Sequence, residues 1–157
     1  MKFIYIFILT LLPLVGFSQL GVFVGFGDSQ MDKSIITYSA GVEYAFTSEE
    51  GFAIAPRVTL SERGGTIDNE NGEIRERMIN ISYIVRKSFK TIEGKHRLFL
   101  MGGAGMDVLD NQTRINSQIV FPVGLGLKFG KVFTWFEYQI TTKDDYKYGG
   151  FNLGYSF

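Results

Sequence analysis

Eight segments of this chain alternate apolar residues with small or polar ones. Because successive side chains of a strand point to opposite faces, a period of two predicts one apolar face and one small or polar face per segment. Each segment has about the ten residues that a tilted strand needs to cross a bilayer. The segments are Leu20–Gly27, Ile35–Phe46, Phe52–Ser61, Glu76–Phe89, His96–Asp107, Asn116–Phe129, Val132–Thr142 and Lys147–Phe157.

The second and sixth segments show the alternation most clearly. In the second, the apolar face has Tyr38, Ala40, Val42, Tyr44 and Phe46, and the other has Thr37, Ser39, Gly41, Glu43 and Ala45. In the sixth, Ile119, Phe121, Val123, Leu125, Leu127 and Phe129 oppose Gln118, Val120, Pro122, Gly124, Gly126 and Lys128. With the charges inside and the apolar residues outside, the pattern predicts an all-β fold, an eight-stranded antiparallel up-and-down transmembrane β-barrel.

The start of the chain predicts export. Lys2 is followed by the apolar run Phe3–Val15 and by Gly16-Phe17-Ser18, which fit the three regions of a secretory signal peptide. We therefore expect residues 1–18 to be a signal peptide, cleaved near Ser18, and residues 19–157 to form the barrel domain. The alternative is a retained anchor.

The composition excludes several classes of protein. The chain has no cysteine, which excludes disulfides and a lipoprotein anchor. Its net charge is zero, so there is no electrostatic case for binding nucleic acid.

The connections between segments alternate in length. Odd-numbered ones are polar and mostly longer, namely 28–34, 62–75, 108–115 and 143–146, while even-numbered ones are mostly tight, namely 47–51, 90–95 and 130–131. Outer-membrane barrels have long external loops and short periplasmic turns, so this alternation predicts periplasmic termini.

The longest predicted external loop is Glu62–Arg75. Its Asp68, Asn69, Glu70, Asn71 and Glu73 could bind Ca²⁺ but lack the order of a calcium hand, which favours a solvated loop.

Five phenylalanines are predicted to lie at the periplasmic strand ends and to point outward: Phe46, Phe52, Phe89, Phe129 and Phe157. Aromatic rings favour the boundary between headgroups and hydrocarbon, so this set predicts a periplasmic aromatic girdle. The alternative is chance, since the chain has 15 phenylalanines.

The inward faces carry charge. The predicted lumen cluster is Glu43, Arg57, Arg86, Lys128 and Glu137. An eight-stranded barrel has an interior that side chains fill, and buried charges must pair, so we expect a salt-bridged plug. A proton or ion path is the alternative. Phe133 and Trp135 also fall inward and argue against a water-filled pore.

Two features fit this pattern poorly. Pro56 and Pro122 lie within strands, where each removes a ladder donor, and we expect local bulges there. The fifth segment is apolar on both faces. We place Leu98 and Leu100 outward because that turns Asp107 inward.

At this point the chain resembles the small outer-membrane β-barrel proteins of the OmpA/OmpX type, and more narrowly the PorT-like outer-membrane β-barrel domain. The resemblance lies in residues 41–47 (GVEYAFT), 78–89 (MINISYIVRKSF, with Ser82 where a proline is usual), 102–106 (GGAGM) and the closing 154–157 (GYSF). It implies the barrel fold and an outer-membrane location in a Gram-negative cell. The PorT branch is linked to secretion, which these barrel motifs do not justify carrying over.

Some barrels of this type are enzymes that act on lipid A with a histidine near the outer leaflet. The one histidine, His96, is predicted to lie at the periplasmic end, so we expect an interfacial turn residue and no catalytic site. No metal cluster or phosphate-binding motif is present, and no cofactor is expected.

We therefore predict a non-enzymatic structural or interaction protein. Its partners would be outer-membrane lipid, the barrel-assembly machinery at the C-terminal strand and a possible protein at the external loops. The alternatives are a soluble lipocalin-like barrel with an apolar ligand and a lipid-modifying enzyme.

Overall fold

The structure is a computed structural model, and it describes residues 18–30, 34–47, 51–66, 73–90, 96–110, 115–142 and 147–157. Within these residues no helix is long and apolar enough to cross a membrane. The described chain forms eight strands: β1 (Ser18–Gln30), β2 (Ser34–Thr47), β3 (Phe52–Thr66), β4 (Glu73–Lys90), β5 (His96–Asp110), β6 (Ile115–Phe129), β7 (Val132–Thr141) and β8 (Lys147–Ser156).

The eight strands close into one barrel in which every neighbour in sequence is an antiparallel neighbour in space. The barrel closes where β1 pairs with β8, with Val24 opposite Leu153. Closure leaves no strand edge unpaired, which a chain in hydrocarbon requires because no water is there to satisfy the backbone. The predicted fold class is confirmed. We call the end of the barrel at which β1 begins and β8 ends the terminal end.

The side chains alternate across the barrel wall as the period of two predicts. On β2, Tyr38 and Val42 are exposed on the outside, whereas Thr37 and Glu43 are buried inside. β6 shows the same alternation over its whole length. Large apolar residues therefore cover the exterior, and most of the buried polar and charged residues face the lumen. This is the reverse of a soluble barrel, in which apolar side chains fill the interior.

The fifth strand has the predicted parity. Leu98 and Leu100 are exposed on the outside, while Phe99, Met101 and Asp107 are buried in the lumen. Because Phe99 and Met101 are also apolar, the polarity of the neighbouring residues could not distinguish the two faces. The prediction of the parity therefore depended on the charge at Asp107.

The bulges predicted at the two prolines are wrong. The register between β2 and β3 is the same on both sides of Pro56, with Glu43 opposite Arg57 and Phe46 opposite Ile54, although the rungs between these two are missing. Pro56 keeps its partner Tyr83 on β4. In an antiparallel sheet the N–H and C=O of one residue point to the same neighbour, so the missing donor weakens one ladder and leaves the other intact.

Pro122 on β6 follows the same rule. It pairs with Gln139 on β7, and the rungs toward β5 are missing between Gly102–Val123 and Gly105–Val120 without any change of register. Neither strand therefore needs an extra residue to accommodate its proline.

The loop predicted over Glu62–Arg75 is also wrong in extent. β3 and β4 remain paired as far as Thr66 opposite Glu73, so only positions 67–72 connect them. β1 likewise continues to Gln30, which pairs with Ser34. The first three odd-numbered connections are consequently shorter than the sequence pattern predicts, because the strands beside them continue beyond the alternating segments, whereas β7 ends at Thr141 and the connection before β8 is not shortened.

Candidate functional site: the closed lumen

Four charged side chains from four strands meet in the lumen. Glu43 on β2, Arg57 on β3, Arg86 on β4 and Glu137 on β7 all point inward, and none is more than 9% exposed. Arg86 donates two hydrogen bonds to the two carboxylate oxygens of Glu43, with Nη1 2.6 Å from Oε1. Arg57 donates from Nη1 to Glu137 Oε2 at 2.5 Å and from Nε to Glu43 Oε2 at 3.4 Å.

These contacts form one chain of alternating charge, from Arg86 through Glu43 and Arg57 to Glu137. Two cations and two carboxylates balance, so the network is neutral as a whole. Ion pairs that are removed from water need this balance and good geometry, because an uncompensated buried charge costs several kcal/mol. We call these four residues the lumen network.

Two further donors bond Glu137, the carboxylate at the end of this series of ion pairs. Trp135 donates its indole N–H to Glu137 Oε2 at 3.0 Å, and Gln139 donates an amide N–H to Oε1 at 3.0 Å. Trp135, Glu137 and Gln139 alternate on β7, so all three face the lumen. One strand thus supplies a carboxylate and two of its donors.

Aromatic rings pack around the two guanidinium groups. The Arg57 guanidinium lies 5.2 Å from the centroid of Phe23 and 5.1 Å from that of Trp135. The Arg86 guanidinium lies 5.4 Å from the Phe99 ring and 5.6 Å from the Phe133 ring. A cation within about 6 Å of a ring face is attracted to it. The rings also exclude water from the network.

The aromatic rings contact one another across the lumen. Phe133 and Trp135 stack at a centroid distance of 5.2 Å, and Phe23 meets Trp135 edge-on at 5.1 Å. All three rings are at most 5% exposed. These rings and the lumen network are thus buried side by side inside the barrel.

A second polar group lies farther from the terminal end. Asp107 on β5 accepts a hydrogen bond from Asn80 at 2.6 Å and another from Gln118 at 3.1 Å. The three residues occupy one rung across β4, β5 and β6. The alternation in the sequence predicts that Asp107 and Gln118 point inward, and the same alternation along β4 gives Asn80 this direction, but it does not group the three residues. The strand register, once known, would have identified the group.

Lys128 does not join the lumen network. It is half-buried near the terminal end, and its Nζ donates to Gln19 Oε1 at 2.7 Å. It lies four residues closer to the end of β6 than Gly124, which is opposite Glu137. The predicted grouping of five charges therefore includes one residue that lies too near the barrel mouth.

The five phenylalanines of the predicted girdle lie at the terminal end. Phe46 and Phe89 are at the ends of β2 and β4, Phe52 begins β3, Phe129 ends β6 and Phe157 follows β8. Four of them are more than 40% exposed, and Phe46 is half-buried. The Lys87 ammonium lies 3.8 Å from the centroid of Phe52. Their role as a belt in the headgroup region stays a prediction.

The remaining candidate residues lie apart from the lumen network. His96 begins β5 at the terminal end, where its ring packs against Phe129 at a centroid distance of 4.8 Å. Among the described residues no group of histidine, cysteine and carboxylate side chains could hold a metal ion. The predicted signal segment up to residue 17 and the loop residues 68–71 lie outside the described residues.

No family model matches the chain, and no curated protein matches it. Solved structures do. Neisserial surface protein A superposes with a TM-score of 0.66 at 11% identity, covering 88% of this chain and 95% of that one. The outer membrane enzyme PagL gives 0.65 at 14% identity, covering 87% and 98%. The attachment invasion locus protein Ail of Yersinia pestis gives 0.56 at 18% identity, covering 89% and 97%.

At these identities the likeness concerns the fold. The narrower resemblance to the PorT-like domain stays an expectation. The alternating wall, the closed ring of eight strands and these superpositions agree: the chain has the fold of the small eight-stranded outer-membrane β-barrels.

Proposed function

We propose that this protein is a non-enzymatic outer-membrane barrel that conducts nothing through its lumen and acts on other molecules through the connections opposite its terminal end. The observation that supports this most is the closure of the lumen. The four residues of the lumen network and the rings of Phe23 and Trp135 are all buried inside the barrel, at most 9% exposed, and the two rings are in contact. A barrel filled in this way offers its surroundings only its outer wall and its two ends.

The outer wall supports a position in a bilayer. Its exposed side chains are mostly large and apolar, which lipid solvates and water does not. With an even number of strands both termini lie at one end, and in barrels of this kind that end faces the periplasm. The connections 31–33, 67–72, 111–114 and 143–146 would then face the cell exterior.

A lipid-modifying activity has less support. The similarity to PagL is one of fold, and His96 lies at the terminal end, against Phe129. An enzyme acting on the outer leaflet needs its general base at the opposite end, within hydrogen-bond reach of its substrate. We therefore assign no catalytic role to His96.

Two partners follow from the proposal besides lipid. β8 ends at the terminal end and is followed by Phe157, whose N–H donates to Leu20 O at 2.9 Å and whose ring is 66% exposed. We assign this strand to recognition by the barrel-assembly machinery. A protein partner would meet the connections on the far side.

Planar-bilayer recording tests the closed lumen. Purified barrel should give no stable conductance steps, whereas a double variant Phe133→Ala/Trp135→Ala, if it still folds, should give more leakage because the rings that seal the network are gone. The fold of both proteins is checked by the difference in gel migration between unheated and heated samples. Long-lived steps from the unaltered barrel would contradict the proposal and favour a channel.

A connection-replacement experiment tests the interaction role. Positions 67–72 are replaced by a short turn, and the proteins that co-purify from detergent-solubilised membranes are compared with those of the unaltered barrel. We expect normal amounts of barrel in the outer membrane and loss of the specific partner. Partners retained after replacement of all four connections would place the interaction elsewhere.

A further inference from the structure

Among the described residues, three cations that the lumen network does not use lie on the lumen side of the barrel wall at its terminal end. Lys90, Arg97 and Lys128 occupy one rung across β4, β5 and β6, with Lys90 opposite Arg97 and Arg97 opposite Lys128. By the parity of their strands all three are on the lumen side. Like charges that face each other across a sheet repel, so this rung destabilises the barrel unless a negative group lies between them.

A cavity of about 90 Å³ lies beside this rung, and Arg86, Arg97 and Lys128 all line it. Gln19 and Ser88 add polar groups to its wall. Among the described residues that line the cavity, the only carboxylate is Glu43, and both of its oxygens already accept hydrogen bonds from Arg86. Glu43 therefore neutralises Arg86, and no other described side chain in the lining offers a negative charge to Arg97 and Lys128.

The lining groups have donors available. Arg86 is only 9% exposed, and its Nε–H is buried without a hydrogen-bond partner. The ammonium of Lys128 has three protons, one of which bonds Gln19. These donors come from β4 and β6 on the same side of the barrel, with Arg97 on the strand between them.

The size of the cavity limits the ligand. One water molecule requires about 10–15 Å³ of such space, so the cavity has room for roughly six to nine waters, which is enough for a small polyatomic anion but not for a nucleotide. Several cationic donors around a small space favour a group with more than one charged oxygen. A carboxylate presents two oxygens in a plane, whereas phosphate presents oxygens in all directions.

We propose that the terminal mouth of the barrel is a binding site for a phosphate group, held by Arg97, Lys128 and the free Nε–H of Arg86. The site goes beyond the proposed function: it shares Arg86 with the lumen network, but phosphate binding at the mouth requires neither an absence of conductance nor the connections at the far end. The phosphate has two possible sources, free inorganic phosphate and the headgroup of a phospholipid in the adjacent leaflet.

Calorimetric titration of the full-length barrel in a maltoside detergent, which contains no phosphate, tests the site. Inorganic phosphate should bind, and the affinity should fall as NaCl is raised because salt screens the charges. Arg97→Gln and Lys128→Gln should each weaken binding by about tenfold, as expected for the loss of one charge-assisted hydrogen bond. Both residues lie near strand ends, so the substitutions should leave the barrel folded.

Lys87→Gln is the matched control. Lys87 lies at the same end of the barrel but points outward, over the Phe52 ring. The substitution Lys87→Gln removes one positive charge from the same end of the barrel and should leave the affinity for phosphate unchanged. An equal loss in this control and in Lys128→Gln would reduce the effect to overall charge and would overturn the site.

A competition arm distinguishes the two sources. If phosphatidylglycerol added to the detergent displaces phosphate and an uncharged diacylglycerol does not, the site takes a lipid headgroup. If phosphate binding persists unchanged, the site takes the free ion. Absence of binding by both inorganic phosphate and phosphatidylglycerol would show that the cations are neutralised within the chain, and the proposal would be wrong.

Discussion

At the scale of single residues, the closed lumen depends on large rings placed opposite glycines. A Cβ added to Gly154 would collide with the Phe133 ring, and one added to Gly41 would collide with the Phe23 ring. The paired residues are direct neighbours across the sheet, Phe133 opposite Gly154 and Phe23 opposite Gly41. The glycines therefore provide the space in which the rings lie against the inner wall. Among the described residues, an added Cβ would meet an aromatic ring within 3.0 Å at five glycines, namely Gly27, Gly41, Gly126, Gly150 and Gly154.

This arrangement predicts different outcomes for two glycine-to-alanine substitutions. Gly154→Ala should destabilise the barrel by about 1–3 kcal/mol, because the new methyl group overpacks the interior against Phe133. Gly102→Ala has nothing within 4 Å of the added Cβ and should be neutral or stabilise by about 0.4–1 kcal/mol through the unfolded state. Urea unfolding in lipid vesicles measures both. Equal effects would show that the ring contact does not constrain Gly154.

The lumen network predicts an order of stability for two charge-removing variants. Glu43 accepts from both arginines, whereas Glu137 accepts from only one of them, Arg57, besides its neutral donors Trp135 and Gln139. Glu43→Gln leaves Arg86 without a carboxylate and should destabilise by about 3–5 kcal/mol. Glu137→Gln leaves Arg57 with Glu43 and should destabilise less. The same unfolding assay ranks them, and the reverse order would contradict the bridging role of Glu43.

At the scale of elements, the period of two was sufficient to place the eight strands and the direction of their side chains. Hydrophobic alternation is strong wherever one face meets lipid and the other meets the lumen, as for Val42 and Glu43 on adjacent positions of β2. The pattern fades where a strand leaves the membrane, because both faces then meet water. Arg63 pairs with Glu76 in this region, and the backbone ladder alone extends β3 and β4.

The prolines show a second limit of prediction from sequence. A proline within a strand indicates a missing donor, but the sequence does not say which of two ladders lacks it. The unchanged register beside Pro56 and Pro122 shows that one weakened ladder suffices. A bulge would have reversed the side-chain parity of everything beyond it, which the buried and exposed faces of β6 exclude.

The extended ladder predicts that two deletions between β3 and β4 differ. Replacing positions 67–72 by a two-residue turn should leave insertion intact, because it removes no described rung. Replacing Glu62–Arg75 removes the rungs from Glu62–Arg77 to Thr66–Glu73 and should lower the amount of folded barrel. Quantitative gels of unheated outer-membrane samples measure the folded amount. Equal folding of both variants would show that the extension contributes nothing to stability.

At the scale of the whole molecule, the barrel is polar inside and apolar outside, and sequence parity predicted both faces. It could not predict which charges would pair, because pairing depends on depth along tilted strands as well as on face. Lys128 has the correct face but lies near the mouth, where it bonds Gln19. Asp107, Asn80 and Gln118 share a rung, which becomes evident only once the register of three strands is known.

The apolar exterior gives the most general prediction, which compares one substitution at two depths. Val42 and Val132 both point outward and are similarly exposed, at 48% and 40%. Val42 lies within β2 between Val22 and Val58, whereas Val132 begins β7 at the terminal end. Arginine at the bilayer midplane costs about 2–4 kcal/mol in a barrel and about 0–1 kcal/mol near the interface.

Val42→Arg should therefore reduce both assembly and stability in lipid vesicles. Val132→Arg should be tolerated, because the guanidinium at that position reaches the headgroups. In maltoside micelles, which adapt more readily to a charge, the difference should shrink. Equal tolerance of both substitutions in vesicles would mean that this wall does not face hydrocarbon.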